Sequence, residues 1–201
     1  CAKNEADNLK FFLPKVLEQD YPEFEVVVVN DQSKDGTAAI LKNFEKSYHK
    51  LVIVNIDEHI NHWPGKKFAL SLGIKTANHE YLLLTDADCL PSSSNWAKQM
   101  SSNFNKSEIV LGFGGYQERK GLLNKIIRFD TFNVAKQYLS YSLAGFTYMG
   151  VGRNMAYKKS LFFENKGFAK HLHIPSGDDD LFIQEVVNKD NVSVEIVTDA
   201  H

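Results

Sequence analysis

The sequence has almost no cysteine: two in 201 residues, Cys1 and Cys89. That excludes a disulfide scaffold and fits a reducing compartment, so a cytoplasmic location or the cytoplasmic face of a membrane is expected. It also lacks the ~18 continuous apolar residues that a membrane span needs, and any secretory signal peptide. Neither charge dominates: 23 Lys and Arg stand against 25 Asp and Glu, a formal net charge of −2. Nucleic acid is therefore not an expected partner, because its binders carry a basic stripe. The overall balance gives no sign of a polybasic membrane anchor either. No histidine spacing resembles a zinc site: His171 and His173 flank Leu172 in a loop-like stretch, and His201 is a weak ligand candidate. There is no internal repeat, no low-complexity tract and no linker, so one domain is expected over residues 1–201. The first residue is Cys1 rather than Met, and both ends read as cut. A longer protein with membrane association is compatible with that.

What is present is alternation. Residues 25–29, 51–54, 81–84 and 109–113 are short apolar runs, which read as strands buried on both faces. Between them Leu9, Phe12, Leu13 and Val16 recur at helical spacing, as do Ile40, Leu41 and Phe44. Ala69, Leu72 and Thr76 make a weaker pattern. Trp96, Met100 and Phe104 follow Ser94 or Asn95 as a candidate N-cap. Strands alternating with helices predict an α/β fold, a Rossmann-like, mostly parallel sheet flanked by helices. In such sheets ligands bind beyond the carboxyl ends of the strands. The second half differs: a long helix over 122–143, a loop punctuated by Gly145, Gly150 and Gly152, short helices over 160–163 and 181–187, and a strand over 192–197.

Acidic residues gather where strands end. The first apolar run leads into Asn30-Asp31, with Gly36 permitting a turn and Thr37 as a candidate cap for the next helix. Asp31 is either a turn former or an acceptor for a ligand's N–H groups. The third run ends Thr85-Asp86-Ala87-Asp88. Two carboxylates two apart on an extended strand point to one side. At a buried strand end they repel and lose hydration, which Mg²⁺ or Mn²⁺ would relieve. A third cluster, Asp178-Asp179-Asp180, opens a helix and reads as an N-terminal cap or as a general base. Gly65-Lys66-Lys67 starts another helix; it is a phosphate contact or a solvated basic turn, and not a P-loop.

These pieces in this order resemble the family 2 glycosyltransferases, inverting enzymes of GT-A fold. Ala2-Lys3-Asn4-Glu5 is similar to the family's opening loop, and Asp31 stands where the family contacts the nucleotide base. Gly65-Lys66-Lys67 resembles its Gly-Lys segment, and Asp86-Ala87-Asp88 its Asp-x-Asp metal motif. Gly152-Arg153-Asn154 looks like its acceptor-side loop, and residues 178–180 fill the place of its Glu-Asp base motif. The resemblance implies a nucleotide-binding part over about 1–90, with Ala2, Asn4, Glu5, Asp31, Lys66 and Asp86 holding the nucleotide. It implies an acceptor-binding part over about 91–201, with Gly152, Arg153, Asn154 and Asp180 toward the acceptor. Asp86 and Asp88 would hold Mn²⁺ or Mg²⁺, and Asp179 or Asp178 would be the base. The implied donor is a nucleotide-diphosphate sugar, UDP-sugar favoured, and the acceptor a glycan, lipid or other hydroxyl. A nucleotidyltransferase making the activated sugar and a binding module without catalysis are the competing readings. The family's Gln-x-x-Arg-Trp motif would fall beyond His201, and a further strand would precede Cys1.

Overall fold

A computed structural model describes residues 1–57, 65–171, 173–174, 176–197 and 200. His201 lies outside them. The chain runs α1 (Ala6–Leu17), β1 (Val26–Asp31), α2 (Thr37–Ser47), β2 (Leu51–Ile56), α3 (Lys66–Thr76), β3 (Tyr81–Leu84) and α4 (Trp96–Ser102). Then come β4 (Ile109–Leu111), α5 (Leu122–Leu143), β5 (Met155–Lys158), α6 (Lys159–Glu164), α7 (Asp180–Val186) and β6 (Val192–Val194).

The apolar runs form strands; β4 is buried throughout and β1 in its second half, whereas β3 is only half-buried and begins with exposed Tyr81. β1 and β2 pair in parallel, Val26 opposite Leu51 through Asp31 opposite Ile56. Ala2 adds one parallel bridge to Asn30: its N–H donates to Val29 O and its carbonyl accepts from Asp31 N–H, each at 2.8 Å. Leu9, Leu13 and Leu17 of α1 pack with Val28, Leu41 and Leu51 beneath this sheet.

The second sheet has the order β3-β5-β4-β6. β4 and β6 are parallel, but β5 runs antiparallel to both β3 and β4. Helix–strand alternation does not reveal this insertion, since Met155-Ala156-Tyr157 is too short to read as a run. The strand expected over 192–197 stops at Val194, level with the end of its partner β4 at Leu111. β3, placed with the first part by the sequence, belongs by pairing to the second sheet. Ile109, Leu111, Tyr157, Phe162, Phe168, Phe182 and Ile183 form its main core. The facing edges of β1 and β3 do not pair; they border a cavity of about 300 Å³ lined by Val27, Leu83 and Trp96 and reached by Lys66, Asp86 and Asp178.

Two expected caps are replaced. Thr37 is the first residue of α2 rather than its cap, and its Oγ1 accepts from Glu5 N–H at 2.9 Å. Asp35 serves two helix starts, accepting from Thr37 N–H and Ala6 N–H. Gly36 needs no unusual backbone, with φ −74°; the left-handed residues here are Asn4 and Gln32. At α4 neither Ser94 nor Asn95 makes the cap bond. Buried Gln19 reaches across from the end of α1, its Oε1 accepting from Ala97 N–H at 3.0 Å.

Candidate active site

The Asp86 and Asp88 carboxylates meet, but not through strand alternation. β3 ends at Leu84, and a turn follows in which Asp86 O accepts from Cys89 N–H at 3.1 Å. The turn gathers ligand atoms of Asp86, Asp88 and Cys89 within 4.8 Å of one another. Burial, then Asp86 and Asp88, push the Cys89 thiol up to about 11. It is protonated at neutral pH and donates to Asp88 Oδ1 at 3.7 Å. The two carboxylates are hard oxygen donors suited to Mg²⁺ or Mn²⁺, ions that do not favour the soft sulfur of Cys89.

Lys66, at the start of α3, joins this turn to the third acidic cluster. Its Nζ lies 3.3 Å from Asp86 Oδ1 and 3.1 Å from Asp178 Oδ2. Burial works against the Lys66 charge, but Asp86 and then Asp178 more than offset it, and its pKa is raised. Lys67 is not a solvated basic residue: it is buried, and its Nζ donates to the carbonyls of His171 and Ile174 at 2.8 and 2.9 Å. It thereby fixes the segment leading to the acidic triplet. His171 in turn sits 3.0 Å from Glu185 of α7. No local pattern marks this latch, because its partners are main-chain carbonyls about a hundred residues away.

The three consecutive aspartates have three different surroundings. Asp178 points toward Lys66. Asp179 caps α7, Oδ1 accepting from Asp180 N–H at 2.9 Å, and Oδ2 accepts from Gly152 N–H at 3.0 Å. Burial, then the neighbouring Asp179, raise Asp180 to about 6, with Asp178 adding to this and the Gly150 N–H opposing it. A carboxyl whose folded pKa lies above its unfolded value stabilises the fold fully below the unfolded value and loses that contribution as pH rises through about 6. Asp180→Asn should therefore gain roughly 1 kcal/mol over the wild type at pH 8, the field being discounted for partial exposure, and nothing at pH 4. Urea denaturation at the two pH values measures it.

Asp31 ends β1 buried, with Lys3 Nζ 3.5 Å from its Oδ2. Asn4 ties the opening loop to the loop after β1: its Oδ1 accepts from Lys34 N–H, and its own N–H donates to Ser33 Oγ. Glu5 Oε2 accepts from Asn8 at 2.7 Å. On the acceptor side Arg153 Nε donates to Gly114 O at 2.7 Å, and its guanidinium lies over Tyr116. Asn154 departs from expectation. It is buried, its amide donates to Phe113 O and Ala200 O, and its Oδ1 accepts from Trp96 Nε1. Both of its N–H donors are thus engaged within the domain.

The sequence profile described as Glycosyl transferase family 2 matches residues 1–164. The chain belongs to that family. Poly-beta-1,6-N-acetyl-D-glucosamine synthase of Staphylococcus epidermidis is 40% identical over 85 residues, 42% of this chain and 19% of that protein. Glycosyltransferase AglE of Haloferax volcanii is 32% identical over 116 residues, 57% of this chain and 36% of that protein. Among solved structures, the mannosyltransferase PcManGT from Pyrobaculum calidifontis, in complex with GDP-Man and Mn²⁺, superposes with a TM-score of 0.71 at 24% identity. That match covers 98% of this chain and 54% of the other. Staphylococcus aureus TarS 1-349 with UDP-GlcNAc superposes at 0.65 and 20% identity, over 98% of this chain and 54% of that one. The fold of this family 2 domain is thus GT-A, and the chain spans about half the length of those structures.

Proposed function

We propose that this family 2 domain is the catalytic part of an inverting glycosyltransferase, moving a sugar from a nucleotide-diphosphate donor to an acceptor hydroxyl. The observation that carries the reading is the convergence of Asp86 and Asp178 on Lys66; with the diphosphate at Asp86, Asp178 would be a second carboxylate beside it. Residues 2–5 and Asp31 bind the nucleoside. Asp86 and Asp88 hold Mn²⁺ or Mg²⁺, which when bound neutralises charge on the diphosphate.

Asp178 is the base. Asp179 has both oxygens engaged by backbone N–H groups, whereas Asp178 pairs with the side-chain ammonium of Lys66. Asp178 takes the acceptor hydroxyl proton as that oxygen attacks the anomeric carbon. The new carbon–oxygen bond forms opposite the bond to phosphate, whose electron pair leaves with the nucleoside diphosphate. Lys66 lies within reach of the leaving group and adds positive charge there. Gly152 and Arg153 line the acceptor side. UDP is favoured because solved neighbours hold UDP-GlcNAc and UDP, although another holds GDP-Man. The acceptor is a glycan, lipid or other hydroxyl.

Thermal melting with UDP or GDP, with and without Mn²⁺, tests the reading. A hundredfold excess over Kd gives about 2.7 kcal/mol, hence roughly 5–10 °C for a domain of this size. Asp88→Asn should remove the Mn²⁺-dependent part. No Mn²⁺-dependent shift with any nucleoside diphosphate would sink the proposal.

A further inference from the structure

The first three turns of α5 contain no buried residue. Its buried residues begin at Ala135 and continue with Tyr138, Leu139 and Ser142. Tyr138 anchors that half, its hydroxyl donating to Gly112 O at 2.8 Å. At about 100° per residue, Leu122, Ile126 and Phe129 lie on the side opposite this anchor. Leu122 is 73% exposed, Leu123 71% and Phe129 67%, with Ile126 and Phe132 also exposed. A folded domain rarely leaves so contiguous an apolar face to water.

The same stretch is basic. Arg119, Lys120, Lys125, Arg128 and Lys136 stand against Glu118 and Asp130, a local net charge of +3 in a chain of −2. Lys125 and Lys136 run along one edge of the apolar face, while Arg128 pairs with Glu118 at 3.1 Å. The balanced total charge conceals this cluster. A second copy docking here would bring like charges together. An apolar face edged by lysine instead matches the interface of an anionic bilayer. No helix among the described residues is long and apolar enough to cross a membrane.

We propose that the N-terminal half of α5 docks on the surface of an anionic lipid bilayer, burying Leu122, Leu123, Ile126 and Phe129 among the headgroups with Lys120 and Lys125 against lipid phosphates. The loop from β4 to α5 includes Gly114, the hydrogen-bond partner of Arg153. Docking therefore brings the loop that Arg153 grips near the lipid surface. The binding itself does not depend on the glycosyl-transfer reading.

Co-sedimentation with vesicles tests it. The chain should pellet with phosphatidylcholine–phosphatidylglycerol vesicles at low salt, and less so at high salt or with phosphatidylcholine alone. The triple variant Leu122→Glu, Ile126→Glu, Phe129→Glu should lower partitioning roughly tenfold or more, with unchanged thermal melting because the positions are exposed. Lys120→Glu with Lys125→Glu should also cost about twenty-five-fold or more, from about fivefold per basic side chain. Should the triple variant melt early, the lysine pair decides alone. Absence of vesicle binding, equal binding to neutral vesicles, or wild-type binding by these variants overturns the proposal. So does a concentration-dependent dimer that the triple variant disperses while no vesicles are bound.

Discussion

Asp178→Asn should lower turnover by about two to four orders of magnitude while leaving donor-nucleotide affinity within a few-fold, because the amide cannot take the acceptor proton. Asp179→Asn should behave differently. Its carboxylate accepts from Asp180 N–H and Gly152 N–H through separate oxygens. An amide has only one acceptor oxygen, so one N–H loses its partner, at a cost of about 1–2 kcal/mol in stability. Any fall in its turnover should be small and should track the melting temperature. Donor-dependent transfer, nucleotide titration and thermal melting on both variants separate the roles. If Asp179→Asn is the inactive one and Asp178→Asn turns over normally, Asp179 is the base and the Lys66 pairing is electrostatic only.

That ambiguity shows where the sequence stops being informative. Three adjacent aspartates are identical as letters, and only the tertiary surroundings distinguish a cap, a partner of Lys66 and a half-buried carboxyl raised to about 6. The long-range elements were easier to read. The helix Leu122–Leu143 and the strand Tyr81–Leu84 begin and end where the pattern places them, because Gly121 and Gly145 flank the helix and polar Glu80 and Thr85 flank the strand. β5 was hidden by its shortness and antiparallel direction. The Asp86–Asp88 pairing was anticipated, but from the wrong local geometry: a turn rather than an extended strand gathers it. Lys67 was unreadable for a further reason. A lysine beside a lysine suggests solvent, yet its ammonium is held by two carbonyls of a segment that the sequence places far away.

Asn154 is a residue whose loss should cost as much stability as truncating a core aromatic side chain. Its side chain connects three elements: the indole of Trp96 in α4, the carbonyl of Phe113 after β4, and the carbonyl of Ala200 after β6. Asn154→Ala removes three hydrogen bonds and strands an indole N–H and two carbonyls. With about 1–3 kcal/mol for each buried group left unpaired, and partial relief where water reaches the site, a loss of about 3–5 kcal/mol is expected. Trp96→Phe strands only the Asn154 oxygen and should cost about 1–3 kcal/mol. The double variant should cost less than the sum, because the two side chains share one bond. Urea denaturation of the four proteins measures that coupling. Additive losses would mean that the indole bond contributes nothing and that Asn154 acts through the two carbonyls alone. Either result bears on the site, since Asn154 directly follows Arg153 and its bond to Phe113 O holds the glycine segment that Arg153 grips at Gly114. A functional loss in Asn154→Ala should therefore appear first as a raised acceptor KM, from a loosened Arg153, rather than as weakened nucleotide binding.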